Sequence, residues 1–161
     1  MTHLSESASP PIYSRSYEIN APITFKDGDE GVLIALGNHK SGYTLYIKNN
    51  RLIYEYNAGF ARYKAISAKD LPAGELAISF KFSKTDDYAG IGSIYVNDEI
   101  VGEVNMDATL PYKTAFEGMD IGQDLLYPVS PDYADQGEFA YTGTIKKVVF
   151  NLKDDTEMVN K

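Results

Sequence analysis

The chain has 161 residues, a formal charge of −8, 13 Tyr, 13 Gly, 7 Pro and no Cys. That length suits one domain with a real core, and the missing cysteines exclude disulfides, thiolate metal sites and a cysteine nucleophile. The acidic balance disfavours nucleic acid and an anionic membrane surface, because both partners need clustered cations. No run reaches the ~18 apolar residues of a membrane helix. The opening MTHLSESASPPIYSR lacks the charged and apolar regions of a secretory leader, so the compartment is unassigned and reads as cytoplasmic from the sequence as it stands.

Residues 1–14 and 154–161 are polar enough to fray, which leaves 15–153 as the folded domain. Strands are expected at Ser16 to Ala21 and Val32 to Gly37. Asn49-Asn50 tolerates the positive φ of a two-residue turn, so Lys48 should face Arg51, with Ile47 opposite Leu52, Leu45 opposite Tyr54 and Tyr43 opposite Tyr56. One face of that hairpin is apolar. The other carries Tyr46 with Ile53 and Thr44 with Glu55 and is half polar. Leu76, Ile78, Phe80 and Phe82 alternate with Ala77, Ser79, Lys81 and Ser83, the period of a strand with one buried face.

A second hairpin is expected at Asn97-Asp98, with Val96 opposite Glu99, Tyr95 opposite Ile100 and Ile94 opposite Val101. Asp107 to Glu138 is the longest irregular stretch. Phe139, Tyr141 and Ile145 then share one phase and Val148, Phe150 and Leu152 the other, which a bulge near Lys146-Lys147 would reconcile. Eight to twelve short strands without a helix describe an all-β, two-sheet antiparallel sandwich.

Three catalytic chemistries find little to work with. The histidines are His3, in the polar leader, and His39, in a turn-like run, with no acid and nucleophile placed around either. They do not make a zinc site. The carboxylates Glu99 and Glu103 share a strand face but stand roughly 13 Å apart at 3.3 Å per residue, beyond the ~5 to 9.5 Å that glycoside hydrolysis requires.

Asp27-Gly28-Asp29-Glu30-Gly31, Asp86-Asp87, Asp120, Asp124, Asp132 and Asp135 are candidate calcium ligands without the spacing of a helix-loop-helix calcium loop. Otherwise no cofactor is expected. Tyrosines stack on sugars and donate hydrogen bonds, and Tyr46, Tyr88, Tyr127 and Tyr133 are the ones expected to be exposed. The Asp107 to Glu138 stretch should bind a ligand or fold over the core as a lid. Asp124, Tyr127, Asp132 and Tyr133 are its candidate ligand-binding residues.

Three motifs carry a resemblance to a known family. Gly122-Gln123-Asp124 precedes Pro128-Val129-Ser130-Pro131-Asp132-Tyr133, and Phe139-Ala140-Tyr141-Thr142-Gly143-Thr144-Ile145-Lys146-Lys147-Val148 follows. With Gly31 to Asn57 and Leu71 to Gly102, they resemble the C-terminal β-sandwich domain of certain bacterial arylsulfatases. The resemblance covers roughly Tyr17 to Leu152 and implies a jelly-roll of the concanavalin A or laminin G type. The sulfatase formylglycine motif has its nearest match in Ser9-Pro10-Pro11-Ile12-Tyr13, with Tyr where Arg is required, so no sulfatase activity is expected. The expectation is a non-catalytic module that recognises a glycan or a protein surface; the alternatives are a subunit or fragment of an arylsulfatase whose catalytic domain is on another chain and, behind it, a glycoside hydrolase with carboxylates from different strands.

Overall fold

The computed structural model describes residues 3–4, 15–37, 41–86, 88–109, 119–124, 128–137 and 139–153. They form two packed antiparallel sheets, the expected jelly-roll sandwich. The first runs in the order β1 (His3–Leu4), β10 (Met119–Ile121), β3 (Gly31–Gly37), β4 (Gly42–Lys48), β5 (Arg51–Asn57) and β6 (Arg62–Ile66). In the second, β2 (Tyr17–Phe25), β7 (Gly74–Asp86), β8 (Ala89–Val96) and β9 (Glu99–Met106) follow one another, and β11 (Thr144–Ile145) and β12 (Val149–Leu152) both pair with the far side of β2. Among the described residues the only helical element is a single 3-10 turn, Pro131–Tyr133, and no helix is long and apolar enough to cross a membrane. His3–Leu4, within the leader expected to fray, pairs with Met119 and Asp120.

The β4–β5 hairpin has the register read from Asn49-Asn50, whose φ angles of 52° and 62° close the two-residue turn. Tyr43, Leu45, Ile47, Leu52, Tyr54 and Tyr56 therefore all point into the core, where they meet Ile78, Phe80 and Phe82 of the opposite sheet. Tyr54 stacks on Phe80 with ring centroids 3.7 Å apart, and Tyr17 stacks on Phe82 at 5.5 Å. Each buried aromatic of this size removes roughly 150–250 Å² from water, which makes these rings the largest single contributions to the core.

At Asn97-Asp98 the turn and its first two pairs match expectation, but Ile94 faces Gly102 instead of Val101 because the register shifts between Ile94 and Tyr95. Ile94 Cδ1 packs where a Cβ on Gly102 would sit, so the bulge brings the residue without a side chain opposite the large one. The extra residue also moves Glu99 and Glu103 to opposite faces, since Glu99 pairs with inward Val96 and Glu103 with outward Ser93. The face-sharing expected of this pair is thereby corrected.

The closing strand is shorter than expected. Phe139 has φ 45° and Ala140 makes only an isolated bridge to Val32, so regular pairing begins at Thr144. The bulge near Lys146-Lys147 is present: Ile145 faces Ile23 and Val149 faces Asn20, leaving three residues opposite two.

Candidate binding face

Alternation along β4 and β5 turns Thr44, Tyr46, Ile53 and Glu55 away from the sandwich core. They do not meet open water. A strap of chain that begins at Pro128 lies across them, and its Val129, Tyr133 and Phe139 join Val32, Ala35, Tyr46 and Ile53 in a second apolar cluster outside the first sheet. Tyr133 stacks on Phe139 at 5.2 Å and meets Tyr46 edge-on at 5.1 Å. The strap turns sharply because the Ser130 hydroxyl accepts the Asp132 N–H at 3.1 Å and Pro131 supplies a fixed φ at the first helical position.

Polar groups pin this strap to the sheet. Asp124, buried, accepts the Tyr133 hydroxyl at 2.5 Å and the Val129 N–H at 2.9 Å. The phenol has one proton and gives it to the carboxylate, so the Thr44 hydroxyl 3.1 Å away donates to the Tyr133 oxygen. Burial, and next the Asp124 charge, push the Tyr133 phenol far above its ordinary value. Glu55, only 1% exposed, accepts the Ser130 hydroxyl at 2.5 Å and Arg62 Nη1 at 2.7 Å, with Lys64 Nζ at 3.7 Å. Arg62 also donates to the Val129 carbonyl at 3.1 Å, which links strand and strap twice.

Asp132 sits where this network reaches solvent. It accepts the Tyr46 hydroxyl at 2.6 Å and Lys64 Nζ at 2.7 Å, while Lys48 donates to its carbonyl. Burial works to raise its pKa, yet Lys64, Tyr46 and Lys48 together outweigh that and hold the carboxyl below its ordinary value. At the Asp132 rim the side chains of Arg62, Lys64 and Asp132 are 38%, 34% and 34% exposed, so each keeps one part in water and one part fixed by buried partners.

Of the residues expected to bind a ligand, Asp124, Asp132 and Tyr133 come together on this face, and Tyr127 lies outside the described residues. The structure corrects the expectation of exposure for Tyr46 and Tyr133, both fully buried, while Tyr88 is 50% exposed. Tyr46 is covered by a strap that is remote in sequence, and burial, followed by its bond to Asp132, pushes its phenol far above the ordinary range. Sequence reasoning missed Lys48, Arg62 and Lys64. The outward alternation of Arg62, Lys64 and Ile66 against Tyr63 and Ala65 was the available signal.

The acidic run at Asp27 to Gly31 forms a structural corner. Asp29 is buried and accepts the Lys26 N–H at 3.0 Å, Lys26 Nζ at 2.8 Å and the Thr142 hydroxyl at 2.9 Å. Burial works against its charge, but these donors outweigh it and keep the pKa below the ordinary value. Among the described residues no three His, Cys, Asp or Glu side chains converge as metal ligands. His39, Asp87 and the Ser9 to Tyr13 run lie outside the described residues.

No family model matches the chain, and no curated protein matches it in sequence. Solved structures do match. The CBM40 domain of the Ruminococcus gnavus IT-sialidase, bound to α2,3-sialyllactose, is 15% identical with a TM-score of 0.63, over 92% of this chain and 83% of that one. Domains LG4-5 of the mouse laminin α1 chain are 13% identical with a TM-score of 0.65, over 96% of this chain and 41% of that one. The LG1-3 region of the laminin α2 chain gives 12% and 0.64, over 93% and 30%. This is a likeness of fold. It supports the two-sheet sandwich fold and says nothing about ligand by itself.

Proposed function

We propose that this chain is a non-catalytic carbohydrate-binding module whose ligand rests on the outer face of the first sheet, at the rim formed by Arg62, Lys64 and Asp132. The observation that carries the reading is the contrast between the two halves of that face. Inside, Asp124 is bonded to Tyr133, Glu55 to Ser130 and Tyr46 to Asp132, and these groups are committed to holding the strap. At the rim, charged side chains are partly exposed yet oriented by those buried partners. Groups fixed before the ligand arrives lose little entropy on binding, which suits a polar, weakly apolar ligand such as a sugar. The shared fold with a carbohydrate-binding module of a sialidase supports the same reading.

A glycan array probed with the purified chain tests this. Binding to a defined glycan class that falls at least ~10-fold in Lys64→Ala, with unchanged circular dichroism, supports the site. An array without signal above background overturns it.

The motif likeness to arylsulfatase appendages supports a second reading, in which the module accompanies a sulfatase catalytic chain. Residues of the Pro128 to Tyr133 motif lie in the strap that shapes this face. Mixing the chain with an arylsulfatase catalytic domain on a sizing column would show a shared peak if the reading holds and two independent peaks if it fails.

A further inference from the structure

We infer that Asp27-Gly28 is a site of spontaneous covalent rearrangement to isoaspartate, and that the Asn50 side chain restrains the reaction in the folded chain. The inference is independent of the ligand proposed above. An Asp followed by Gly is open to cyclisation because glycine has no side chain to shield its nitrogen. The Gly28 nitrogen attacks Asp27 Cγ, an N–C bond forms, the nitrogen gives up its proton, and one carboxyl oxygen leaves as water. The cyclic imide takes water back at either carbonyl. Opening at one returns Asp27, and opening at the other routes the main chain through the former side chain as isoaspartate. The turn presents this pair to solvent. Asp27 and Gly28 are both exposed at the centre of a turn that the Asp29 N–H closes on the Lys26 carbonyl at 2.9 Å, and Gly28 has φ 89°. A Cβ on Gly28 would meet nothing within 4 Å, so no bulk crowds the reacting nitrogen from that side.

Both reacting groups are instead held by Asn50, from the turn between β4 and β5. Its Oδ1 accepts the Gly28 N–H at 2.9 Å, and its Nδ2 donates to Asp27 Oδ1 at 2.6 Å. Nucleophile and electrophile are thus occupied by the two ends of one planar amide. Cyclisation has to break the first bond to strip the nitrogen of its proton and the second to swing Cγ onto that nitrogen. Asn50 is itself fixed, since its carbonyl accepts the Leu71 N–H at 2.7 Å. Its φ of 62° would suit Gly equally well, but only a side-chain amide adds the clamp. Isoaspartate would lengthen the main chain by one carbon between Lys26 and Asp29. Asp29 holds the Lys26 N–H and the Thr142 hydroxyl, and the Thr142 N–H donates to the Glu30 carbonyl at 2.9 Å. A longer turn therefore disturbs the corner where the closing segment meets the junction of β2 and β3.

The test follows the peptide carrying Asp27 by mass spectrometry during incubation near neutral pH, with an isoaspartyl methyltransferase reporting the product. Wild type is incubated folded and in urea, and Asn50→Gly, which keeps the positive φ and deletes both bonds, is incubated folded with circular dichroism as the check. Folded Asn50→Gly should form isoaspartate at this position about 10-fold faster than folded wild type, the effect of losing two exposed hydrogen bonds. Unfolded wild type should also outpace folded wild type. Asn50→Asp, which keeps the acceptor for Gly28 and loses the donor to Asp27, should fall between. Asp27→Glu, which would have to close a larger ring, should form no product here. A folded Asn50→Gly no faster than folded wild type, or a folded wild type as fast as the unfolded chain, overturns the inference. Should Asn50→Gly fail to fold, Asn50→Asp and the comparison of folded with unfolded wild type decide it in the same way.

Discussion

Replacing Tyr133 by Phe removes one hydroxyl from the strap and nothing else. That oxygen lies 2.5 Å from Asp124 and 3.1 Å from Thr44, and both partners are buried. A hydrogen bond to a charged group contributes about 1.5–3 kcal/mol, and the buried Asp124 carboxylate would be left one donor short. At about 2–4 °C per kcal/mol for a chain of this size, Tyr133→Phe should melt roughly 3–12 °C lower. Tyr133→Ala also loses the ring stacked on Phe139 and set edge-on to Tyr46, and should cost about 3–5 kcal/mol. Thermal and urea denaturation read both variants. Tyr133→Phe made in an Asp124→Asn background should cost clearly less, because the charge that demanded the proton is gone. A Tyr133→Phe variant within ~0.5 kcal/mol of wild type, or an effect undiminished in the Asp124→Asn background, would refute the claim that this pair fastens the strap.

Glu55→Ala should be more damaging than Asp132→Ala by at least ~2 kcal/mol in urea denaturation, since it leaves Ser130 and Arg62 without their buried acceptor, whereas Asp132 is partly in water. Gly42→Ala and Gly74→Ala start from similar backbone angles, φ 136° and 122°, but a Cβ at Gly42 runs into the Leu36 carbonyl and one at Gly74 meets nothing; a melting comparison should show the former far worse. Asp29 and Asp132 have carboxyls held below their unfolded values, so their contribution is complete above the ordinary carboxylate range and disappears as pH falls through the lowered values. Stability measured from about pH 6 to pH 2 should therefore fall below about pH 4, and less steeply in Asp29→Asn. The purified chain should leave an aryl sulfate unhydrolysed, and turnover that scales with protein and survives repurification would contradict this.

The hairpins were legible because their cause is local. Asn49-Asn50 and the alternation of Tyr43, Leu45 and Ile47 determine turn, register and buried face within a short stretch of chain. Bulges were legible only in part. The Lys146-Lys147 shift appears as a phase change in the sequence, but the Ile94 to Gly102 pairing depends on an Ile side chain from the neighbouring strand filling a glycine's space. The site was legible as a set of residue types and not as a role. Asp124, Asp132 and Tyr133 do gather, yet Tyr133 and Asp124 face each other inside the protein, because what covers Tyr46 and Glu55 comes from far downstream in the chain. Periodicity cannot express such a contact.

The placement of β11 and β12 has a bearing on how the chain is made. Strand β2 precedes β7 in the chain, and its register with β7 is available once Phe82 has been synthesised. Its other edge is sealed only by Thr144–Ile145 and Val149–Leu152. Throughout the synthesis of the intervening residues, β2 offers a nine-residue row of open amides and carbonyls to any passing strand. Alternate polar residues along that strand, Glu18, Asn20 and Thr24, with Pro22 interrupting the donor row, make it a poor template for foreign pairing during that interval.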